Sequence, residues 1–130
     1  MNESIVMFLV ILSLVSMTLA VIGFVFCVTF AFRRIELVEG MLASPGNQIY
    51  LYKSNWGRGI VGRWVRSTAV YHFFLFRNIP LIGKRVEPRI GRESEPVPRV
   101  LRLWVVLPVG LTSFFGWLFL LSGGIAMLLD

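Results

Sequence analysis

The sequence predicts an all-α membrane protein in which two transmembrane helices are joined by a basic cytoplasmic segment that carries an interfacial amphipathic helix. The 130 residues are 56% hydrophobic, with a mean hydropathy of +0.75, which is too apolar for an ordinary soluble domain of this length. Residues 5–32 and 103–129 contain no charged side chain. Every Lys and Arg lies between these two runs. Three regions follow, at 1–32, 33–102 and 103–130.

The first region predicts a membrane-spanning helix. Its charge-free run of 28 residues exceeds the roughly 20 needed to cross a bilayer. A buried core helix of a soluble domain is the alternative, but so short a chain could not cover two such runs. A cleaved signal peptide is a second alternative, although the leader "MNES" has no basic residue and the run is too long.

Small residues recur along both predicted spans at helical spacing, so each span is expected to offer one narrow face for close helix packing. Two arrangements remain open, namely packing of the two spans against each other and packing against another subunit. The residues are Ser13, Ser16, Ala20, Gly23 and Cys27 in the first span and Thr112, Gly116, Gly123 and Ala126 in the second. Trp117, in the middle of the second span, is expected to be a packing residue.

The distribution of charge predicts the orientation. The segment 33–102 holds all 13 basic residues and five Glu, so its net charge is 13 − 5 = +8. Because basic residues resist translocation, we expect this segment in the cytoplasm and both termini outside. Nucleic-acid binding is the alternative reading of a basic segment, but anionic lipid headgroups are nearer. The predicted headgroup contacts are Arg33, Arg34, Arg63, Arg66, Arg77, Arg99 and Arg102.

Local patterns divide the middle segment. "RRIELVEGMLA" continues the first helix, "SPGN" at 44–47 breaks it, and "QIYLYK" at 48–53 is strand-like. Residues 63–78 predict an amphipathic helix, with Arg63, Arg66, Ser67 and Arg77 toward phosphate and mainly aromatic residues toward acyl chains. A strand is the alternative there. Residues 84–99 mix charges with prolines and predict an irregular, solvated linker.

The stretch "WGRGIVGRW" contains G-x-G-x-x-G at Gly57, Gly59 and Gly62. A dinucleotide site needs a preceding strand, a following helix and an acidic residue about 20 positions later. The region near position 82 has no acid before Glu87. We therefore expect a flexible hinge in the headgroup layer and no nucleotide site.

No combination of residues indicates catalysis or metal binding. His72 is the only histidine, Asp130 the only aspartate and Cys27 the only cysteine. The predicted topology places His72 and Asp130 on opposite sides of the membrane, which excludes a Ser-His-Asp relay. The sequence therefore predicts no enzyme, no cofactor, no small-molecule substrate and no nucleic-acid partner.

The segments "LVEGML", "YLY" and "VRSTAVYHFF" resemble universal stress protein B, a small bacterial membrane protein with two spans around a cytoplasmic segment. The resemblance covers about a third of the chain and transfers no function. The predicted function is that of an accessory or scaffold subunit in a larger membrane complex, in the bacterial inner membrane. The alternative is a self-assembling protein that forms a pore or regulates membrane stress.

Overall fold

The computed structural model describes residues 2–83, 89–93 and 96–130, and these ranges contain five α-helices and no strand. The helices are α1 (Asn2–Val28), α2 (Phe32–Leu42), α3 (Gln48–Trp56), α4 (Ile60–Arg77) and α5 (Arg99–Leu129). Helices α1 and α5 pack along each other as a long hairpin. Helices α2, α3 and α4 gather at the end of the hairpin where α1 finishes and α5 starts.

Both hairpin helices are long and apolar enough to cross a membrane. Only 11% of the most apolar window of α1 is buried inside the protein, and only 22% of that of α5. Most of their Leu, Ile, Val and Phe side chains therefore point away from the protein, whereas a core helix of a soluble protein would cover them.

The helix is interrupted between α1 and α2. The predicted continuation of the first helix stops at Val28, and a turn at residues 29–31 precedes α2. Within this turn the Ala31 amide donates to the carbonyl of Phe26, five residues earlier, instead of four. Helix α2 then begins at Phe32 and buries Ile35, Val38 and Leu42 in the core.

Residues 48–53, whose pattern is strand-like, are helical and belong to α3. The "SPGN" turn does occur, and Gly46 has the positive φ (93°) that it requires. Asn47 then caps α3, since its side-chain oxygen accepts from the Tyr50 amide at 2.9 Å. This cap fixes a helix start that the aromatic alternation of "QIYLYK" had concealed.

Helix α4 settles the choice between helix and strand in favour of the predicted helix, but its faces differ from the prediction. Arg66 and Ser67 point inward together with Val70, Phe73 and Phe74. His72 and Leu75 lie on the exposed side of the helix. Helix α4 therefore uses its apolar residues to pack against α2, α3 and α5.

The described part of the predicted solvated linker lies over the core. Ile90 accepts a backbone hydrogen bond from Ile49 at 2.9 Å, and Arg92 donates one to Leu42 at 3.0 Å. Gly91 fits against the side chains of Ile49 and Phe73, where a Cβ would have no room. Residues 84–88 and 94–95 of the same prediction lie outside the described residues.

Candidate functional site

A buried ion pair joins α2 to α4. Arg66 is 3% exposed and Glu39 is 1% exposed. The Arg66 guanidinium donates from Nε to Glu39 Oε2 at 2.9 Å and from Nη2 to Oε1 at 2.5 Å. Its Nη1 donates to the carbonyl of Gly57 at 2.8 Å, so it also holds the turn between α3 and α4. This two-point geometry is the strong form of an arginine–carboxylate contact.

A more exposed pair extends the cluster toward the surface. Arg58 Nη2 donates to both oxygens of Glu36, at 3.0 and 3.2 Å. Glu36 also lies 3.6 Å from Arg66 Nη2, which links the two pairs. Glu36 and Glu39 share one face of α2, so one helix supplies both carboxylates and the α3–α4 region supplies both arginines.

Arg63 ties the same cluster to the end of α1. Its Nη1 donates to the carbonyl of Val28 at 2.7 Å and its Nε to that of Arg58 at 2.9 Å. The guanidinium carbons of Arg63 and Arg66 lie 5.0 and 5.1 Å from the centre of the buried Phe32 ring. Both distances suit a cation–π contact. The cluster therefore connects the ends of three helices at the base of the hairpin.

The charged state of the buried arginine is strongly favoured. Hydrogen bonding to Glu39 raises the pKa of Arg66 above its ordinary value, outweighing the desolvation that lowers it. Arg66 therefore keeps its positive charge. At the surface of α4, partial burial of the His72 ring lowers its pKa, and the ring stacks on Phe76 at 5.4 Å.

The cluster can position helices, but it offers no reactive group. Every polar atom of the Arg66 guanidinium faces a bonded oxygen, and both Glu39 oxygens accept from it. Across the described residues no three His, Cys, Asp or Glu side chains lie close enough to hold a metal ion. The arrangement is that of a structural brace.

Glu39 was missed as a partner when the sequence was considered alone. Its pairing with Arg66 spans 27 residues and has no spacing motif. One signal in the sequence could have indicated this partner. Glu39 lies next to Val38 on a helix whose apolar face also includes Ile35 and Leu42, so the Glu39 carboxylate had to lie close to a buried surface.

The predicted headgroup residues occupy different environments. Arg66 is buried and fully engaged, so it has no surface to offer a lipid and leaves the predicted set. Arg63 is half-buried. Arg77 pairs with Glu93 at the end of α4. The remaining members, Arg33, Arg34, Arg99 and Arg102, are exposed. The guanidinium carbon of Arg34 lies 4.1 Å from the centre of the Trp104 ring.

Most of the small residues predicted for helix packing lie where α1 meets α5. Cys27 Sγ lies 3.8 Å from Thr112 Oγ1, and Gly23 abuts the same Thr112 side chain. A Cβ on Gly123 would lie 3.0 Å from Ser13 Oγ. Burial varies among the others: Ser16 and Ala126 are buried, Ala20 and Gly116 are half-buried.

One face of the hairpin remains open. A groove, here called the hairpin groove, runs between α1 and α5. A Cβ on Gly116 or Gly124, both in its wall, would meet nothing within 4 Å. Trp117, expected to be a packing residue, is 66% exposed on the rim of the groove. The groove walls are mostly apolar, and their apolar residues include Met17, Ala20, Phe24, Phe119 and Leu120.

The G-x-G-x-x-G stretch forms the turn between α3 and α4. Gly57 ends α3 with φ of 68°, a conformation that favours glycine, and Gly59 is the N-cap of α4. Gly62 packs against the backbone carbonyl of Trp56, which leaves no room for a Cβ. Gly57 and Gly62 thus have a local structural reason that involves no ligand, whereas Gly59 has an ordinary φ and open space around it.

Comparisons with protein-family models, with curated proteins and with solved structures find no match for this chain. Three features of the structure bear on function. They are an apolar hairpin, a cluster of Arg66, Glu39 and Arg63 at its base, here called the ionic brace, and an open groove along one face.

Proposed function

We propose that the protein is an integral membrane protein of two spans that serves as an accessory or scaffold subunit of a larger membrane complex, in the bacterial inner membrane. Helices α1 and α5 are the spans, the segment from 33 to 102 is cytoplasmic, and both termini are outside. Support for the membrane comes from the large apolar surface of the hairpin, and support for the orientation comes from the basic residues between its helices.

The hairpin groove is the observation that carries the subunit role. Gly23 and Gly123 lie against side chains of the opposite helix, which accounts for their lack of a side chain. Gly116 and Gly124 have open space instead, so packing within the chain does not account for them. Small residues in a span allow another helix backbone to approach closely in lipid. The groove is thus suited to receive a helix of a partner protein.

The ionic brace fits this role because it fixes the base of the groove. Arg66, Glu39 and Arg63 connect α2 and α4 to the end of α1, so the two spans leave the helical base at set positions. A preformed groove reduces the ordering cost when a partner helix docks. The exposed arginines beside the spans would add contacts with anionic lipid.

Co-purification in a mild detergent, followed by mass spectrometry, tests the proposal. We expect a stoichiometric larger partner with the unaltered protein. Gly116→Leu should reduce its recovery about tenfold, because the added side chain overpacks the groove by on the order of 1–3 kcal/mol. Thr18→Leu is the matched control, since Thr18 is exposed on α1 outside the groove.

The same experiment separates the two candidate functions. Recovery of a distinct partner that Gly116→Leu removes and Thr18→Leu retains supports the accessory role. Recovery of this chain alone, as a homo-oligomer that Gly116→Leu dissociates, supports self-assembly instead. Equal recovery with both variants would refute docking in the hairpin groove.

A further inference from the structure

A cleft of mixed character lies between the end of α4 and the start of α5, on the base of the molecule. We call it the α4–α5 cleft. Its polar side carries two arginines and an amide, and its other side is apolar. Arg77, Asn78 and Arg102 line the polar side, and Leu75, Leu103 and Val106 line the apolar side.

The polar side has an excess of positive charge. Arg77 is paired with Glu93, which neutralises one of the two guanidinium groups. Arg102 is exposed in the first turns of α5 and adds the second. Asn78 gives one amide hydrogen to the Phe74 carbonyl at 3.2 Å and has another to donate. Among the described residues that line the cleft, Arg102 therefore supplies the net positive charge, and the Asn78 amide and the Arg77 guanidinium lie on the same side. This arrangement suits a phosphate group.

The apolar side continues directly into the span. Arg102 is the last charged residue before the charge-free run that starts at Leu103. Leu103 and Leu75 are 40% and 44% exposed, so the wall of the cleft is open to an acyl chain. A phospholipid has its phosphate and its acyl chains in this order along the membrane normal. A soluble phosphate ester would use the polar side alone.

We propose that the α4–α5 cleft binds one anionic phospholipid, with its phosphate at Arg102 and Arg77 and an acyl chain along Leu75 and Leu103. The proposal rests on the membrane topology given under the proposed function, but it uses a surface different from the hairpin groove. The lipid would fasten the end of α4 to the start of α5.

Titration calorimetry with the full-length protein in a neutral maltoside detergent tests this site. The probe is dioctanoyl phosphatidylglycerol, compared with dioctanoyl phosphatidylcholine and with inorganic phosphate. We expect saturable binding of phosphatidylglycerol at one site per chain and weaker binding of the other two. Arg102→Gln should weaken phosphatidylglycerol binding about fivefold, the effect of one basic residue near a phosphate.

Arg99→Gln is the matched control, because Arg99 is an exposed arginine of the same helix that does not line the cleft. It should change binding by less than about twofold, since only distant electrostatics remains. Equal losses of phosphatidylglycerol affinity in Arg102→Gln and Arg99→Gln would overturn lipid binding in the cleft and would indicate diffuse electrostatic attraction to the surface. Leu75→Ser should weaken phosphatidylglycerol binding and leave phosphate binding unchanged.

Inorganic phosphate that binds as tightly as phosphatidylglycerol, with no effect of Leu75→Ser, would overturn the lipid assignment. The outcome is independent of partner docking. If the lipid experiment fails while Gly116→Leu still releases a partner, the cleft proposal alone is wrong. If no partner is found while Arg102→Gln still weakens lipid binding, the subunit role alone is wrong.

Discussion

At the scale of single residues, the Arg66–Glu39 pair is the most consequential contact. Removing two charges from water costs several kcal/mol for each ion. The pair offsets this cost with two hydrogen bonds between its members and a third to the Gly57 carbonyl. Without Glu39, the buried Arg66 would lose both of its short bonds to a carboxylate and would keep only the Gly57 carbonyl and the Glu36 carboxylate at 3.6 Å. Without Arg66, the buried Glu39 would lose both of its hydrogen bonds.

Glu39→Ala should therefore lower the free energy of unfolding by about 3–5 kcal/mol, the usual effect of breaking a buried pair. The measurement is unfolding in mixed micelles with increasing dodecyl sulfate, followed by circular dichroism. Glu36→Ala is the control and should cost less than about 1 kcal/mol, because the side chain of its partner Arg58 is 72% exposed. Equal effects of the two substitutions would contradict the buried brace.

The pH dependence of this effect follows from the sign of the Arg66 shift. A raised pKa means that its contribution is present below the unfolded pKa and is lost only as pH rises through the folded one. Both values lie far above neutral pH, so the Arg66 contribution should be constant between about pH 7 and 10.

The sequence could not predict this pair, because the partners are 27 residues apart and an arginine on a helix is usually solvated.

At the scale of helices, the turn between α3 and α4 depends on one close approach. Gly62→Ala would place a Cβ against the Trp56 carbonyl, a backbone group that cannot rotate away. We expect a loss of about 1–3 kcal/mol in the same unfolding measurement. Gly59→Ala is the control, because its φ is −68° and open space surrounds it. Its effect should stay below about 1 kcal/mol, and a larger one would show that the turn tolerates no side chain at all.

The same turn should bind no nucleotide. No strand precedes it, since the residues before it form α3, and the sequence offers no acidic ribose partner near position 82. Equilibrium dialysis of the detergent-solubilised protein against NAD or ATP should show no saturable binding. A site of micromolar affinity would contradict this prediction.

The hairpin contact can be tested with the single native cysteine. Cys27 Sγ lies 3.8 Å from Thr112 Oγ1, so Thr112→Cys should form a disulfide with Cys27 after mild oxidation. The product should be a monomer of altered electrophoretic mobility. Leu111→Cys is the control, because this neighbour is 54% exposed, whereas Thr112 is buried. A disulfide-linked dimer from Thr112→Cys would instead indicate that α1 and α5 pair between chains.

The sequence predicted the helices unevenly, for physical reasons. Charge-free runs longer than a bilayer have few alternatives to a long helix, so α1 and α5 were predicted to within a few residues. Helix α4 was predicted, but its inward face was not. An arginine on a helix is expected in solvent, and the Glu39 partner that buries Arg66 is distant in the sequence. Helix α3 was missed because six residues of aromatic alternation outweighed the Asn47 cap.

At the scale of the whole molecule, the helical base and the hairpin form one continuous core. Val105 and Val109 of α5 pack with Val70 and Phe73 of α4, and Cys27 at the end of α1 joins the same cluster. The base therefore stays attached to one end of the hairpin. The basic residues that the structure describes lie in this base, in the segment over it or in the first turns of α5, which concentrates their charge at one end of the hairpin.

This concentration of charge predicts the orientation in a membrane. Because Lys and Arg near a span resist translocation, the base should lie in the cytoplasm and both hairpin ends outside. Single cysteines introduced at Glu3, Arg92 and Asp130 in a Cys27→Ala background report the side of each position. All three native residues are exposed, so access to the reagent depends on the membrane and not on burial.

A membrane-impermeant maleimide should label the variants Glu3→Cys and Asp130→Cys in intact cells and leave Arg92→Cys unlabelled. Permeabilised cells provide the control, since Arg92→Cys must react there to show that its thiol is accessible. Labelling of Arg92→Cys in intact cells, with protection of the two termini, would reverse the orientation. It would also place the α4–α5 cleft at the opposite leaflet, where the charge of the base would have a different set of lipids to bind.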